Sequence, residues 1–463
     1  MFSTIFASAK RNRAASHLAL AIALATGGAL TLGAIAEPAQ AQRKKKDKES
    51  KADYSKGFIE VFSPMQETLN AGGDGVAALQ PQLPTLLAAV STDDDRLLAG
   101  QTFYNVGLAT NDDALLLQGL DLMIESGKGD AAAMGQRNFA AYQYRRDSGD
   151  VAGARANLEA AISANYEFDG RLGDGTAKRF GPDDMRLMIA ELYFDRDDYV
   201  NGLQYLNGII QERTAAGQKP PSAWVRRGLG VAYNNEIVDQ ADAFSLVLLR
   251  TYPSDAIWGD AIGIQRNLKT FEGEQLLDLL RLARRVNGLR AARDYEDYVQ
   301  AADARKLPGE VAAVIDEGRT AGTLTGDNMF IAEASETATG RIRADRAELP
   351  ALESDAAAGG ANLRTVVAAG DVFLSYDDYA KAERFYTKAL GMPGVDTAEV
   401  QTRLGIAQLE QGKYDEAKAT FAKVQGARAP IAQLWTIYAE QKQGGGIPVN
   451  PTAGGDTSEV DAT

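Results

Sequence analysis

The stretch LGIAQLEQGKYDEAKATFAKV, from Leu404 to Val424, decides the fold. Its apolar residues recur at helical spacing on both sides of EQGKY, so it reads as two short helices joined by a tight turn. Tyr414 opens the second helix, Ala417 follows three residues later and Phe421 four after that. Immediately upstream, RTVVAAGDVFLSYDDYAKAERFYTKALGMPG (residues 364–394) has the same layout, with a turn at SYDDY and then Tyr379, Ala382 and Tyr386. The two alanines are 35 residues apart. Helix packing explains the spacing: small residues at facing points, expected here as Gly370 with Ala382 and Gly405 with Ala417, let antiparallel helices approach. Larger residues one turn away then fill the groove between successive hairpins.

Working outward, ELYFDRDDYVNGLQYL (residues 191–206) aligns without a gap with DVFLSYDDYAKAERFY (residues 371–386). Tyr193 meets Phe373, Asp197 and Asp198 meet Asp377 and Asp378, Tyr199 meets Tyr379, and Gly202 meets Ala382. RRDSGDVAGARANLEAAI (residues 145–162) places Gly149, Ala154, Leu158 and Ala161 in the same pattern. The interval from Ala154 to Gly202 exceeds one period, and the excess falls in DGRLGDGTAKRFGP, which reads as a surface loop inserted between repeats. Ala241, a position near Leu276 in EGEQLLDLLRLARR, Val311 and Ala382 keep the phase through the middle of the chain, with Pro308 opening the helix before Val311. Almost no stretch alternates as a strand does, so the chain is expected to be all-α.

At this point the chain resembles the tetratricopeptide repeat family, whose period is about 34 residues. Leu404, Gly405, Gly412, Tyr414, Ala417 and Phe421 stand in the family's spacing; Gln408, where an aromatic is usual, and Val424, where alanine is, depart from it. The resemblance implies a solenoid of helical hairpins wound as a right-handed superhelix, and a concave groove lined by the first helix of each hairpin. Carried over to the two best repeats, the groove positions are Arg364, Val367, Asp371 and Leu374, then Glu399, Thr402, Ile406 and Leu409. The implied role is a non-enzymatic scaffold that binds a protein or peptide, without a cofactor or metal.

The N-terminus has a different character. Lys10, Arg11 and Arg13 precede an uncharged stretch from His17 to Ala36 that ends at PAQAQ with small residues Ala39 and Ala41, the layout of a secretory signal peptide cleaved after Ala41. The alternative is an uncleaved anchor in the inner membrane, since about twenty uncharged residues span a bilayer. The run RKKKDK, from Arg43 to Lys48, opposes export under the positive-inside rule and suits either a solvated leader or a weak contact with anionic membrane. The expected location is the periplasm or another exported compartment.

Setting aside residues 1–41 removes His17, the single histidine, and the chain has no cysteine. That excludes Cys/His zinc sites, cysteine nucleophiles, histidine bases and disulfides from the mature chain. The full chain carries a formal charge of −14, and the first 41 residues hold three Lys or Arg and one acid, so the mature chain is more acidic still. Nucleic acid is therefore excluded as an expected partner. An enzyme working with paired carboxylates, a glycosidase or lyase on an envelope polymer, stays open as the alternative function.

The acidic pairs Asp112-Asp113, Asp183-Asp184, Asp197-Asp198 and Asp377-Asp378 each fall at a predicted helix start, where carboxylates cap free amides. The glycine-rich GRLGDGTAKRFG lacks the Gly-Lys-Ser/Thr ending of a nucleotide loop and follows no strand. Trp224, Trp258 and Trp435 sit among apolar residues and read as packing between repeats. The expected organisation is a signal peptide (1–41), a basic leader (42–53), N-terminal hairpins (54–130), a degenerate repeat array (131–330) with its loop insertion at 168–182, a polar helix or linker (331–361), two clear repeats with a C-terminal helix (362–442), and a tail (443–463) whose Gly/Pro/Ser/Thr content matches disorder.

Overall fold

A computed structural model describes residues 52–172, 175–326 and 328–444. The signal segment, the run from Arg43 to Lys48 and the tail beyond residue 444 lie outside the described residues. What is described is helical apart from one small hairpin of strands, in two compact units that meet in sequence between Gly202 and Leu203.

The N-terminal unit opens with α1 (Lys56–Ala71), a 3-10 segment (Gly73–Gln82) and α2 (Leu83–Ala88), followed by α3 (Asp93–Thr110) and α4 (Asp113–Glu125). Phe58, Phe62, Met65, Leu79, Leu83 and Leu86 bury one face of α3 through Ala99, Phe103 and Val106. Helices α5 (Ala131–Ser148), α6 (Val151–Ser163) and α7 (Pro182–Phe194) complete the unit, and α8 (Tyr199–Ala215) carries the chain across the boundary. The C-terminal unit adds α9 (Ser222–Asn234), α10 (Val238–Thr251), α11 (Asp255–Leu268), α12 (Gly273–Arg285), α13 (Ala292–Ala302) and α14 (Pro308–Thr320). It continues with the long α15 (Met329–Ala357), then α16 (Leu363–Ser375), α17 (Tyr379–Leu390), α18 (Thr397–Glu410), α19 (Tyr414–Phe421), a 3-10 turn (Gly426–Arg428) and α20 (Ala429–Gln443).

The array is one hairpin design used repeatedly, the tetratricopeptide-like arrangement the motif implies. In six hairpins the residue two before the second helix has positive φ: Asn111, Gly149, Asp197, Glu236, Asp377 and Gly412. Only Gly, Asn and Asp visit that region at low cost, which is why the turns are written in those letters, Glu236 excepted. The paired turns share their detail: the Tyr199 hydroxyl donates to Asp197 at 2.5 Å and the Tyr379 hydroxyl to Asp377 at 2.5 Å. Ala154, Gly202, Ala241, Leu276, Val311, Ala382 and Ala417 all occupy the fourth position of their helices, and all but the partly exposed Leu276 are buried.

The facing partners differ from the expected small-against-small pairs. A Cβ on Gly370 would lie 2.5 Å from the ring of Tyr386, and one on Gly405 would lie 2.4 Å from the ring of Phe421. Gly228 and Phe244 repeat the contact at the same sequence interval. The glycine therefore makes room for an aromatic ring of the second helix, not for its alanine. At α3 against α4 the backbones themselves approach: a Cβ on Gly119 would sit 2.6 Å from the Tyr104 amide nitrogen.

The expected loop insertion contains order that its composition hides. Phe168–Arg171 (β1) pairs antiparallel with Ala177–Phe180 (β2), with Phe168 opposite Phe180. These two rings stack at 5.0 Å, and Phe168 continues onto Phe139 of α5 at 4.3 Å. Four residues per strand are too few for alternation to stand out, so the aromatic anchors were the only signal. The polar stretch expected at residues 331–361 is the helix α15, bonded to the repeats by Tyr376 donating to Asp345 and by Lys381 and Arg384 on Glu353.

Candidate functional site

Arg364 and Val367 on α16 are exposed and half-buried, and Asp371 is half-buried; Leu374 is buried. On α18, Glu399 is half-buried, while Thr402, Ile406 and Leu409 are between 0 and 4 % exposed. Four of the eight expected groove positions, Leu374, Thr402, Ile406 and Leu409, are therefore buried, not open. Helix α12 lies against α18, and α20 lies against both. Leu374 and Ile406 line a narrow cleft, about 330 Å³ of empty space counted to its open mouth, walled by Arg281, Arg284 and Arg285 of α12 and closed by Trp435 of α20.

Charges weld this seam. Arg403, 3 % exposed at its side chain, reaches Glu399 at 2.5 Å, Asp371 at 2.8 Å, Glu274 at 2.8 Å and Asp278 at 3.4 Å. Asp278 on α12 is fully buried and accepts from Arg281 at 3.0 Å and from Arg428 as well, while its backbone carbonyl accepts from the Trp435 indole at 3.0 Å. Behind it, Arg281 forks onto Glu310 at 2.8 and 2.7 Å, and the Tyr298 hydroxyl donates to the same carboxylate at 2.6 Å. Burial works against the Arg403 guanidinium, yet Asp371 and Asp278 hold it well above its ordinary value. A charge buried this deeply is stable only with its partners satisfied.

Of these charges the sequence singles out only Asp371 and Glu399, and as groove positions. Asp278 and Arg281 interrupt the apolar LLDLLRL, and Arg403 stands between buried Thr402 and Leu404. A charged residue on an otherwise apolar helix face is a legible signal of a buried partner, but the partners lie 125 residues away and no spacing rule finds them.

The pair Glu274 and Glu399 bears on the carboxylate-enzyme alternative. They share Arg403, Glu274 at 2.8 Å and Glu399 at 2.5 Å. Burial, opposed by Arg403 and reinforced by Glu274, pushes Glu399 up to about 7. Burial would also raise Glu274, but the Arg403 guanidinium beside it holds it down at about 2. Glycosidases separate their two carboxyls by about 5 Å or more to admit the sugar bond or a water. Glu274 and Glu399 are both engaged by one guanidinium, and neither lines the cleft described above.

The remaining candidates are structural. Asp112 caps α4 by accepting from the amides of Ala114 and Leu115, Asp184 accepts from the Gly181 amide, and Asp378 accepts from Lys381. Trp224, Trp258 and Trp435 are buried. Gln408, the departure from the family pattern, is buried and accepts a hydrogen bond from Thr420 at 2.8 Å, so a polar contact replaces ring packing there. Among the described residues no cluster of acids is arranged to hold a metal, and no helix is long and apolar enough to cross a membrane.

Counting back by the same intervals from the fourth residue of the second helix gives the equivalent positions in the N-terminal unit. They are Leu98, Gln101, Asn105 and Leu108 on α3, and Gln136, Phe139, Gln143 and Arg146 on α5. Here Leu108 is 57 % exposed, and all the others are partly exposed except Phe139, which the β-hairpin covers. The face is rich in amides.

No family model matches the chain, and no curated protein matches it. Solved structures do: a chain of the Cut9–Hcn1 hetero-tetramer of the APC/C is 14 % identical, with 78 % of this chain and 71 % of that chain covered at a TM-score of 0.20. The TPR domain of P58(IPK) is also 14 % identical, with 84 % of this chain and 99 % of that domain covered at a TM-score of 0.19. Superpositions this loose carry no weight, and the hairpin architecture rests on the turns and contacts described above.

Proposed function

We propose that the chain is a non-enzymatic protein-interaction scaffold that engages a protein or peptide through the first-helix face of its N-terminal hairpins. The observation that supports this is the exposure of Leu108 and the partial exposure of Gln101, Asn105, Gln136 and Gln143 on helices held in fixed register. Amide side chains offer a donor and an acceptor each, which suits an extended segment whose own backbone needs both. The acidic balance of the chain favours a partner that is not itself strongly acidic.

The layout of residues 1–41 supports an exported, envelope location for this scaffold. Fractionation with N-terminal sequencing of the recovered protein tests it: a mature chain beginning at Gln42 agrees, and cytoplasmic recovery of the intact chain contradicts it. For the binding face, Leu108→Asp with Gln143→Glu is expected to abolish capture of partners that the unaltered chain retains from envelope extract. Arg364→Ala is expected to leave capture intact. Unchanged capture by the first variant would refute this face, and hydrolysis of an envelope polymer by the purified chain would refute the non-enzymatic role.

A further inference from the structure

Helix α15 changes character at Gly340. Its first half buries Ile331, Ala334 and Ala338, spaced by three and four residues, in the core that α13 and α14 supply. It is fastened at its start as well, where the Asn328 side chain accepts from the Ile331 amide at 3.2 Å and donates to Glu296 of α13 at 2.6 Å. From Gly340 to Ala357 only Ala356 is buried; Ile342, Leu349 and Leu352 are half-buried, and most of the other residues are exposed.

What holds the second half is polar and lies at the surface. Glu353 pairs with Lys381 at 2.9 Å and with Arg384 at 2.8 Å, and Asp345 accepts from the Tyr376 hydroxyl at 2.6 Å. Lys388 donates to the Ala356 and Ala358 carbonyls at 2.6 and 2.7 Å. Ion pairs between partly exposed side chains contribute little and are screened by salt. The helix is also weakened from within. A Cβ on Gly340 would meet no atom within 4 Å, so packing does not require this poor helix former. Pro350 has no N–H to offer the Arg346 carbonyl. At the far end, Gly359 and Gly360 lead to α16, again with open space where a Cβ would stand.

From this geometry we propose that residues 341–357 are a releasable strap: they open from α16 and α17 by local unfolding, hinged at Gly340 and at Gly359 and Gly360, while the first half of α15 stays in the core. A segment with so few buried apolar contacts opens well before the unit it belongs to. Release frees Lys381, Arg384 and Lys388, three and four residues apart on α17, as a basic stripe for the acidic groups of a partner.

Hydrogen exchange on the full chain at fixed pH, in about 0.05 M and about 0.5 M NaCl, tests this. Amides of residues 343–357 are expected to be less protected than those of residues 333–339 by about tenfold or more. In the higher salt they should lose a further factor of roughly two to ten, the range open to two surface ion pairs, while residues 333–339 hold. In Glu353→Gln, which removes both ion pairs, the strap should be as open in low salt as the unaltered chain is in high salt, with little further response. Pro350→Ala returns a donor to the helix and should raise protection of the strap by about tenfold or more without changing residues 333–339. Equal protection on the two sides of Gly340, a strap indifferent to salt, an equal salt loss in residues 333–339, or a full salt response in Glu353→Gln would each overturn the strap.

Discussion

The first helices α3 and α18 are built to the same register and end in opposite environments. Leu108 of α3 and Leu409 of α18 stand at equivalent positions, one 57 % and the other 4 % exposed. The difference comes from what is laid against each helix. Helix α12 has a buried carboxylate, Asp278, in its apolar face, and it finds Arg403 on α18 and Arg428 in the 3-10 turn before α20. Repeat register places a side chain on a face, and only tertiary partners decide whether that face meets solvent.

The comparison is most easily broken at Asp278. Asp278→Ala removes the partner common to Arg281, Arg403 and Arg428, and about 3–5 kcal/mol should be lost from the C-terminal unit because the guanidiniums stay buried. All three tryptophans belong to that unit, so urea unfolding followed by their fluorescence reads it directly. Next, Ile406→Ala on the covered face should cost about 2–4 kcal/mol by the same measurement, as for other large-to-small core changes. Gly405→Ala should cost about 1–3 kcal/mol, because its methyl would collide with the Phe421 ring. Smallest is Leu108→Ala on the open face, within about 0.5 kcal/mol by circular dichroism, since little is buried there.

Much of the fold was legible because it is local. In five of the six hairpins the left-handed residue before the second helix announces itself as Asn, Gly or Asp, and the fourth-position residues from Ala154 to Ala417 kept their phase even where the surrounding match was poor. Facing partners were less legible, since a glycine in one helix is compatible with either an alanine or a ring in the next; Tyr386 and Phe421 take the place expected for Ala382 and Ala417. The covered groove was illegible. Glu399, Thr402, Ile406 and Leu409 stand at helical spacing on α18, but α12 returns to that helix from more than a hundred residues away. The same distance hid the pairing of Asp278 with Arg403, although each charge was visible as an exception in an apolar run.

The absence of cysteine makes the central claim directly measurable, because any introduced thiol is the only one in the chain. Single variants Leu108→Cys and Ile406→Cys would be labelled with a thiol reagent under native conditions and again in denaturant, which confirms that both can react. Native labelling at position 108 at nearly the denatured rate, with position 406 slower by at least a hundredfold, is the predicted result. Comparable native rates at the two positions, in protein that retains its helical signal, would show that the face of α18 is open and contradict the account.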